Sequence, residues 1–183
     1  MARILVASLG FFDRVELGMC RLLNRSSNLA AIRETFRLVS WLGNGWAWYA
    51  LIGIAAAQSG RHALLPALHM LTTGAIGVGI YKLIKQYAVR ERPFISHSII
   101  NCACAPLDRY SFPSGHTLHA VSFSMLLSHY SPTWAGALIV FTLLIALSRV
   151  VLGLHYPSDV AVGAALGGGL ATASLKLAAL LGT

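Results

Sequence analysis

The stretch SRVVLGLHYPSD, residues 148–159, places an arginine, a histidine and an aspartate in one of the most apolar regions of the chain. Ionisable side chains at membrane depth are costly, which favours a functional reason for them. His155 and Asp159 are four residues apart, so in a helix they share one face. There a carboxylate can accept the proton of one imidazole nitrogen and leave the other free to attack. The stretch therefore indicates a nucleophile with its orienting group, and the alternative is an ion pair at a helix junction.

A second stretch, KQYAVRERP at residues 85–93, separates Lys85 from Arg92 by six residues. A phosphomonoester carries up to about two negative charges. Catalysis of phosphoryl transfer is therefore largely a matter of positioning and electrostatics. Lys85 and Arg92, together with the five-donor guanidinium of Arg149 in the first stretch, supply the positive field that such a group requires.

A third stretch, PSGH at residues 113–116, stands at a predicted helix start. Gly115 lets the backbone approach an anion closely, and the first helical amides and the Ser114 hydroxyl can donate to its oxygens. His116 lies at the same helix start, which suits a group that protonates a departing oxygen. The stretch therefore predicts an anion-binding helix start that carries an acid.

Composition places these residues in a membrane protein. The chain has 183 residues, of which 56% are hydrophobic and 11% charged, and its mean hydropathy is +0.68. The net charge of +8 is compatible with anionic lipids or phosphorylated substrates. It argues against nucleic acid, because the basic residues stand at the ends of apolar spans and are not interleaved with exposed aromatic residues. The three cysteines form no metal-binding or redox pattern.

The hydrophobic pattern predicts an all-α polytopic membrane bundle of about five transmembrane helices and an N-terminal amphipathic helix in the interface. We divide the chain into an N-terminal segment, residues 1–35, and a membrane-embedded domain, residues 36–183. The amphipathic helix covers residues 2–24, and a second helical stretch covers 29–37. The predicted spans are 41–58, 62–87, 114–130, 133–154 and 157–181. Following these spans back and forth brings all three stretches to one side of the membrane.

The three stretches, in this order and spacing, resemble the three-part signature of the type 2 phosphatidic acid phosphatase superfamily. That family includes lipid phosphate phosphatases, bacterial acid phosphatases and vanadium-dependent haloperoxidases. The resemblance covers residues 36–181, with every motif position filled. It supports a scheme in which His155 attacks phosphorus, Asp159 holds His155, and His116 protonates the leaving group and then activates water. The phosphate-binding residues would be Lys85, Arg92, Ser114, Gly115 and Arg149. The scheme needs no metal and no cofactor.

The expected substrate is a membrane lipid with a terminal phosphate or diphosphate: undecaprenyl diphosphate, phosphatidic acid, phosphatidylglycerophosphate or a lipid A phosphate. The short chain resembles small bacterial members of the family, and on that analogy we favour undecaprenyl diphosphate and related lipid phosphates. The alternatives are a phosphotransferase that uses the same intermediate and a non-catalytic protein that binds or transports lipid phosphates. The sequence does not indicate an oligomeric state.

We expect a bacterial inner membrane location with the site on the outer face, as is usual in the family. The positive-inside rule applied to the N-terminal arginines favours the cytoplasmic face instead. Lys82 and Arg90 are interpreted as interfacial anchors. Asp108 either shapes the site entrance or is simply solvated.

Overall fold

The computed structural model describes residues 2–60, 64–106 and 108–181, and within them it places the side chains except those of residues 2–12, 58 and 59. These residues form eight α-helices and no β-strand, which confirms the predicted all-α class. The helices are α1 (Ala2–Arg25), α2 (Ala30–Leu42), α3 (Trp46–Ser59), α4 (Leu64–Tyr87), α5 (Pro93–Ser96), α6 (Gly115–Tyr130), α7 (Ala135–Val151) and α8 (Pro157–Leu181).

Three of the described helical segments are long and apolar enough to cross a membrane: Leu64–Tyr87, Pro132–Val151 and Pro157–Leu181. The other two predicted spans are the helices α3 and α6, which are shorter, at 14 and 16 residues. The short α6 is the most enclosed of the five, since half of its residues are buried by its neighbours. A helix sheltered in this way does not have to match the bilayer thickness by itself.

Several predicted boundaries shift in the structure. The second helical stretch continues beyond residue 37 to Leu42 and therefore includes Trp41, the predicted start of a span. The chain turns at residues 43–45, where Gly45 has a φ of 117°, a conformation that favours glycine. The predicted start of the next span at His62 lies outside the described residues. The boundary at residue 35 falls within α2, and the division into two segments stays a prediction.

Helix α6 packs against α4, α7 and α8, and its contact with α8 is unusually close. A Cβ atom added to Gly163 would lie 2.5 Å from the carbonyl oxygen of Ser114, and one added to Gly167 would lie 2.3 Å from that of Leu118. Only glycine at these two positions allows the two backbones to approach so closely. The start of α8 is thereby fixed beside the start of α6, which joins the third sequence stretch to the first.

A long loop, residues 88–114, connects α4 to α6, and the only helix among its described residues is the single turn α5. Its two arms are paired by an isolated antiparallel bridge between Glu91 and Tyr110. The amide of Ala103 donates to the carbonyl of Leu152, which ties the loop to the connection between α7 and α8. The loop therefore lies over the end of the bundle where the three motifs meet.

Candidate active site

The three sequence stretches line one cavity of about 890 Å³ at this end of the bundle. Its polar wall includes Lys85, Arg92, His116, Arg149 and His155. Gly115 also lines the cavity, whereas Ser114 and Asp159 are fully buried behind it. The structure thus brings together in one place all eight residues that the sequence singled out.

His155 lies in the short connection between α7 and α8 and is only 2% exposed. The backbone amides of Leu154 and His155 both donate to the carbonyl of Arg149, at 3.0 Å. Gly153 makes this turn possible, because it has a φ of 77° and a Cβ there would lie 2.5 Å from the carbonyl oxygen of Asn101. The ring is therefore held by a fixed backbone turn.

His155 and Asp159 do not share a helical face, because α8 begins only at Pro157, between them. Proline suits the first position of a helix and disfavours helical conformation in the residue before it. The turn still brings the two side chains together, with 3.7 Å between His155 Nδ1 and Asp159 Oδ2. This is longer than a hydrogen bond. Within the described part of the chain, the buried Nδ1 atom has no hydrogen-bond partner.

The protonation of His155 follows from its neighbours. Arg92 Nη1 lies 3.2 Å from His155 Nε2. Arginine can only donate, so Nε2 is the acceptor and carries the lone pair. Burial and the positive charges of Arg149 and Arg92 lower the pKa of His155 well below its usual value of 6.5, so the ring is neutral at pH 7. The single proton of the ring is then on Nδ1, on the side of Asp159, and the lone pair on Nε2 is available to a substrate that displaces Arg92.

His116 follows the N-cap of α6, and its Nε2 atom is hydrogen-bonded to Asn44 Oδ1 in the turn between α2 and α3. Ser114 is the N-cap: its hydroxyl accepts from the amide of Thr117 and is hydrogen-bonded to the Thr117 hydroxyl at 3.0 Å. The Ser114 amide donates to the carbonyl of Asp159 at 3.1 Å. Ser114 therefore joins the two helix starts, and its donation to a phosphate, like the role of Gly115, stays a prediction.

Four basic side chains and one carboxylate line the cavity: Lys82, Lys85, Arg92, Arg149 and Asp108. Asp108 bridges two of the cations, with Oδ2 at 2.6 Å from Lys85 Nζ and Oδ1 at 2.8 Å from Arg92 Nη2. Burial raises the pKa of Asp108, but the hydrogen bonds from Lys85 and Arg92 outweigh this and leave it below its usual value. Arg149 is 2% exposed; its Nη1 donates to Ser40 Oγ, and its Nε finds no acceptor among the described residues. The arrangement leaves an excess of buried positive charge for an anion.

Three residues that contact the motif side chains were not identified from the sequence: Asn44, Asp108 and Arg90. Asn44 belongs to no motif, and nothing near Asp108 in the sequence distinguishes an entrance residue from a solvated one. Arg90 differs from its interpretation as an interfacial anchor, because it binds Asp159 Oδ1 at 2.8 Å and Glu16 Oε2 at 2.6 Å. Their partners are far away in sequence, so no local spacing could have shown these contacts. The only signal for Arg90 was its position two residues before Arg92 in the second stretch.

Comparison with known proteins finds relatives that are named as phosphatases. Decaprenylphosphoryl-5-phosphoribose phosphatase from Mycobacterium tuberculosis is 37% identical over 124 residues, which cover 67% of this chain and 66% of that protein. Undecaprenyl-diphosphatase BcrC from Bacillus subtilis is 34% identical over 117 residues, covering 61% of this chain and 58% of that protein. The chain thus spans less than two thirds of the length of either relative.

The fold is also similar to a solved structure. The crystal structure of Aquifex aeolicus LpxE matches with a TM-score of 0.76 and 27% identity, and the match covers 87% of this chain and 94% of that chain. The family model described as the PAP2 superfamily matches residues 63–181, which contain all three motifs. With more than half of its length matched and its motif residues around one cavity, this multi-pass membrane protein belongs to the PAP2 superfamily.

Proposed function

We propose that this protein is a membrane lipid phosphatase that hydrolyses the terminal phosphate or diphosphate of a lipid, releasing one phosphate through a phosphohistidine. The observation that carries the proposal is a buried, neutral imidazole, that of His155, whose Nε2 lone pair lies in a cavity with Lys85, Arg92, Arg149 and a second histidine. A binding protein would need the cations but would gain nothing from a buried nucleophile beside a carboxylate. The names of the relatives, both phosphatases of polyprenyl compounds, support the same class.

The proposed reaction has two steps. In the first, Nε2 of His155 forms a bond to phosphorus as the bond to the leaving oxygen breaks, and His116 gives that oxygen a proton. The positive charge that develops on the His155 ring is balanced by the Asp159 carboxylate, whose Oδ2 lies 3.7 Å from Nδ1. In the second step His116 takes a proton from water, whose oxygen attacks phosphorus and breaks the P–N bond. Lys85, Arg92 and Arg149 neutralise the charge on the equatorial oxygens in both steps.

The cavity also explains why the substrate would be a lipid. Its other wall is formed largely by α3 and α4 and includes the apolar or aromatic side chains of Trp48, Leu71, Val78, Tyr81 and Phe123. A lipid could bind with its phosphate headgroup against the basic side chains and the first part of its apolar tail along this apolar wall. Among the expected substrates we favour undecaprenyl diphosphate, since the two relatives act on polyprenyl compounds by name.

The test is phosphate release by the purified protein from undecaprenyl diphosphate, phosphatidic acid, phosphatidylglycerophosphate and lipid A, each with excess EDTA. We expect release from at least one of them, undiminished by EDTA and inhibited by vanadate, because the proposed step uses imidazole and cations only. The described residues contain no group of three or more His, Cys, Asp and Glu side chains able to hold a metal ion. Activity lost to EDTA and restored by Mg²⁺ would contradict the scheme, and binding without release in every case would favour a non-catalytic protein.

A phosphotransferase is distinguished in the same assay. Adding a lipid alcohol as acceptor would divert phosphate from water to lipid if the phosphohistidine were resolved by transfer. We expect equal release of inorganic phosphate with and without the acceptor, because in the proposed second step His116, in the same cavity as His155, activates water.

We propose further that the protein lies in the bacterial inner membrane with this cavity on the outer face. Cys102 is exposed in the loop over the cavity, so a variant that keeps it as the sole cysteine reports on that side. We expect a membrane-impermeant maleimide to label Cys102 in intact spheroplasts. The matched control is Thr133→Cys in a cysteine-free chain, in the exposed connection of α6 to α7, which should label only after lysis. The reverse pattern would place the site on the cytoplasmic face.

A further inference from the structure

Arg90 is at the centre of a set of polar contacts that the proposed reaction does not use. Its Nη1 atom donates to Asp159 Oδ1 at 2.8 Å and to Ser158 Oγ at 2.7 Å, and its Nη2 atom donates to Glu16 Oε2 at 2.6 Å. The guanidinium carbon lies 3.9 Å from the centroid of the Tyr156 ring, a cation–π contact. Arg90 is not in the wall of the cavity, so it is placed to act on Asp159 and not on the substrate.

Glu16 brings the N-terminal helix into this set. Its side chain is 15% exposed, and while Oε2 accepts from Arg90, Oε1 accepts from the backbone amide of Ser158 at 2.7 Å. That amide belongs to the first turn of α8, where backbone donors have no partner within the helix. A carboxylate from α1, 142 residues away in sequence, therefore caps the helix that carries Asp159.

Asp159 needs such support because its side chain is fully buried. A buried carboxylate is stable only when it is paired and hydrogen-bonded. Arg90 satisfies Oδ1, and the amide of Tyr156 donates to Oδ2 at 2.8 Å, which sets the plane of the carboxylate. In this orientation Oδ2 lies 3.7 Å from Nδ1 of His155. A rotation of the carboxylate would remove it from the imidazole.

We propose that Arg90 and Glu16 are positioning residues for the Asp159–His155 pair, which makes helix α1 part of the catalytic unit and not only an interfacial anchor. This inference rests on the proposed phosphatase function. Arg90 fixes the carboxylate directly. Glu16 fixes Arg90 and the start of α8, so its removal has the smaller effect.

The test compares Arg90→Gln, Arg90→Lys and Glu16→Gln, with Asp13→Asn as the matched control for a lost carboxylate on an exposed part of α1. We expect kcat to fall about 10- to 100-fold in Arg90→Gln and about 3- to 10-fold in Glu16→Gln, because misplacing a reacting group by about 1 Å costs up to about 100-fold. Arg90→Lys should recover part of the loss. KM and inhibition by orthophosphate should change less than about threefold, because the cavity wall is intact, and Asp13→Asn should match wild type.

A second measurement separates positioning from a general loss of structure. In an Asp159→Asn background, Arg90→Gln should lower kcat by less than about a further threefold, because the carboxylate that Arg90 orients is absent. The inference would be overturned if the effects of Arg90→Gln and Asp159→Asn on kcat multiplied in full. It would also be overturned if Arg90→Gln lost inhibition by orthophosphate. If wild type itself releases no phosphate from any lipid, the proposed function has failed; if wild type is active and Arg90→Gln equals it, only the positioning role has failed.

The pH profile gives an independent readout. The titratable groups around the Asp159 carboxylate are Arg90 from the loop, Glu16 and Cys20 from α1, and His155 and Tyr156 from the connection before α8. Without the Arg90 charge, the Asp159 carboxylate is no longer neutralised by an arginine and stabilises a protonated His155 ring, which has no lone pair for attack. The acid limb of kcat/KM should therefore move to higher pH in Arg90→Gln. An unchanged acid limb would contradict the positioning role.

Discussion

Replacing His155 with alanine is expected to lower phosphate release by at least about 10³-fold, because it removes the atom that bonds to phosphorus. The loss should appear in kcat, with orthophosphate inhibition retained, since Lys85, Arg92 and Arg149 still line the cavity. The measurement is release of inorganic phosphate from the best lipid substrate by the purified variant. Quenching the wild-type reaction at pre-steady state should also trap an acid-labile, base-stable phosphoryl group, which is absent from the variant.

The matched control is His129→Ala, which removes an exposed imidazole at the far end of α6. It should retain wild-type kcat within about twofold, because no motif residue lies near that end of the helix. Undiminished release by His155→Ala would remove His155 from the mechanism. A trapped phosphoryl group in both proteins would assign the nucleophile to another residue, and His116, in the same cavity, would then be the first to test.

The positions of the site residues were predictable because each motif combines local backbone requirements with its chemistry. Ser114 caps α6, Gly153 allows the turn before His155, and Pro157 starts α8. These are short-range effects that depend on neighbouring residue types. The convergence of the motifs followed from counting apolar spans, since successive spans alternate in direction. This is why the sequence predicts both the all-α membrane bundle and the meeting of the three motifs at one end of it.

The contacts around the motif residues were not predictable from spacing. Glu16 caps α8, Asn44 holds His116, and Asp108 neutralises part of the charge of Lys85 and Arg92, and each depends on how distant segments pack. His155 and Asp159 do not pair along one helix, because Pro157 begins the helix after His155. The pair is formed instead by the turn and by the close α6–α8 contact, which Gly163 and Gly167 permit.

The role of His116 should depend on the leaving group. Replacing His116 with alanine is expected to lower kcat about 10²- to 10⁴-fold for phosphatidic acid, whose leaving alkoxide needs a proton. With undecaprenyl diphosphate as substrate, the substitution should lower the rate of the first step much less. Its leaving group is a phosphate monoester, which is already stable as an anion near neutral pH.

With the diphosphate, the second step then limits the variant, because the same His116 is needed to activate water. We expect a burst of one equivalent of released lipid monophosphate, followed by slow turnover with the phosphohistidine accumulated. Rapid-quench measurement of both products separates the two steps, and His129→Ala again serves as the control. Equal losses for both substrates without a burst would show that His116 only shapes the cavity, since a structural role does not distinguish one leaving group from another.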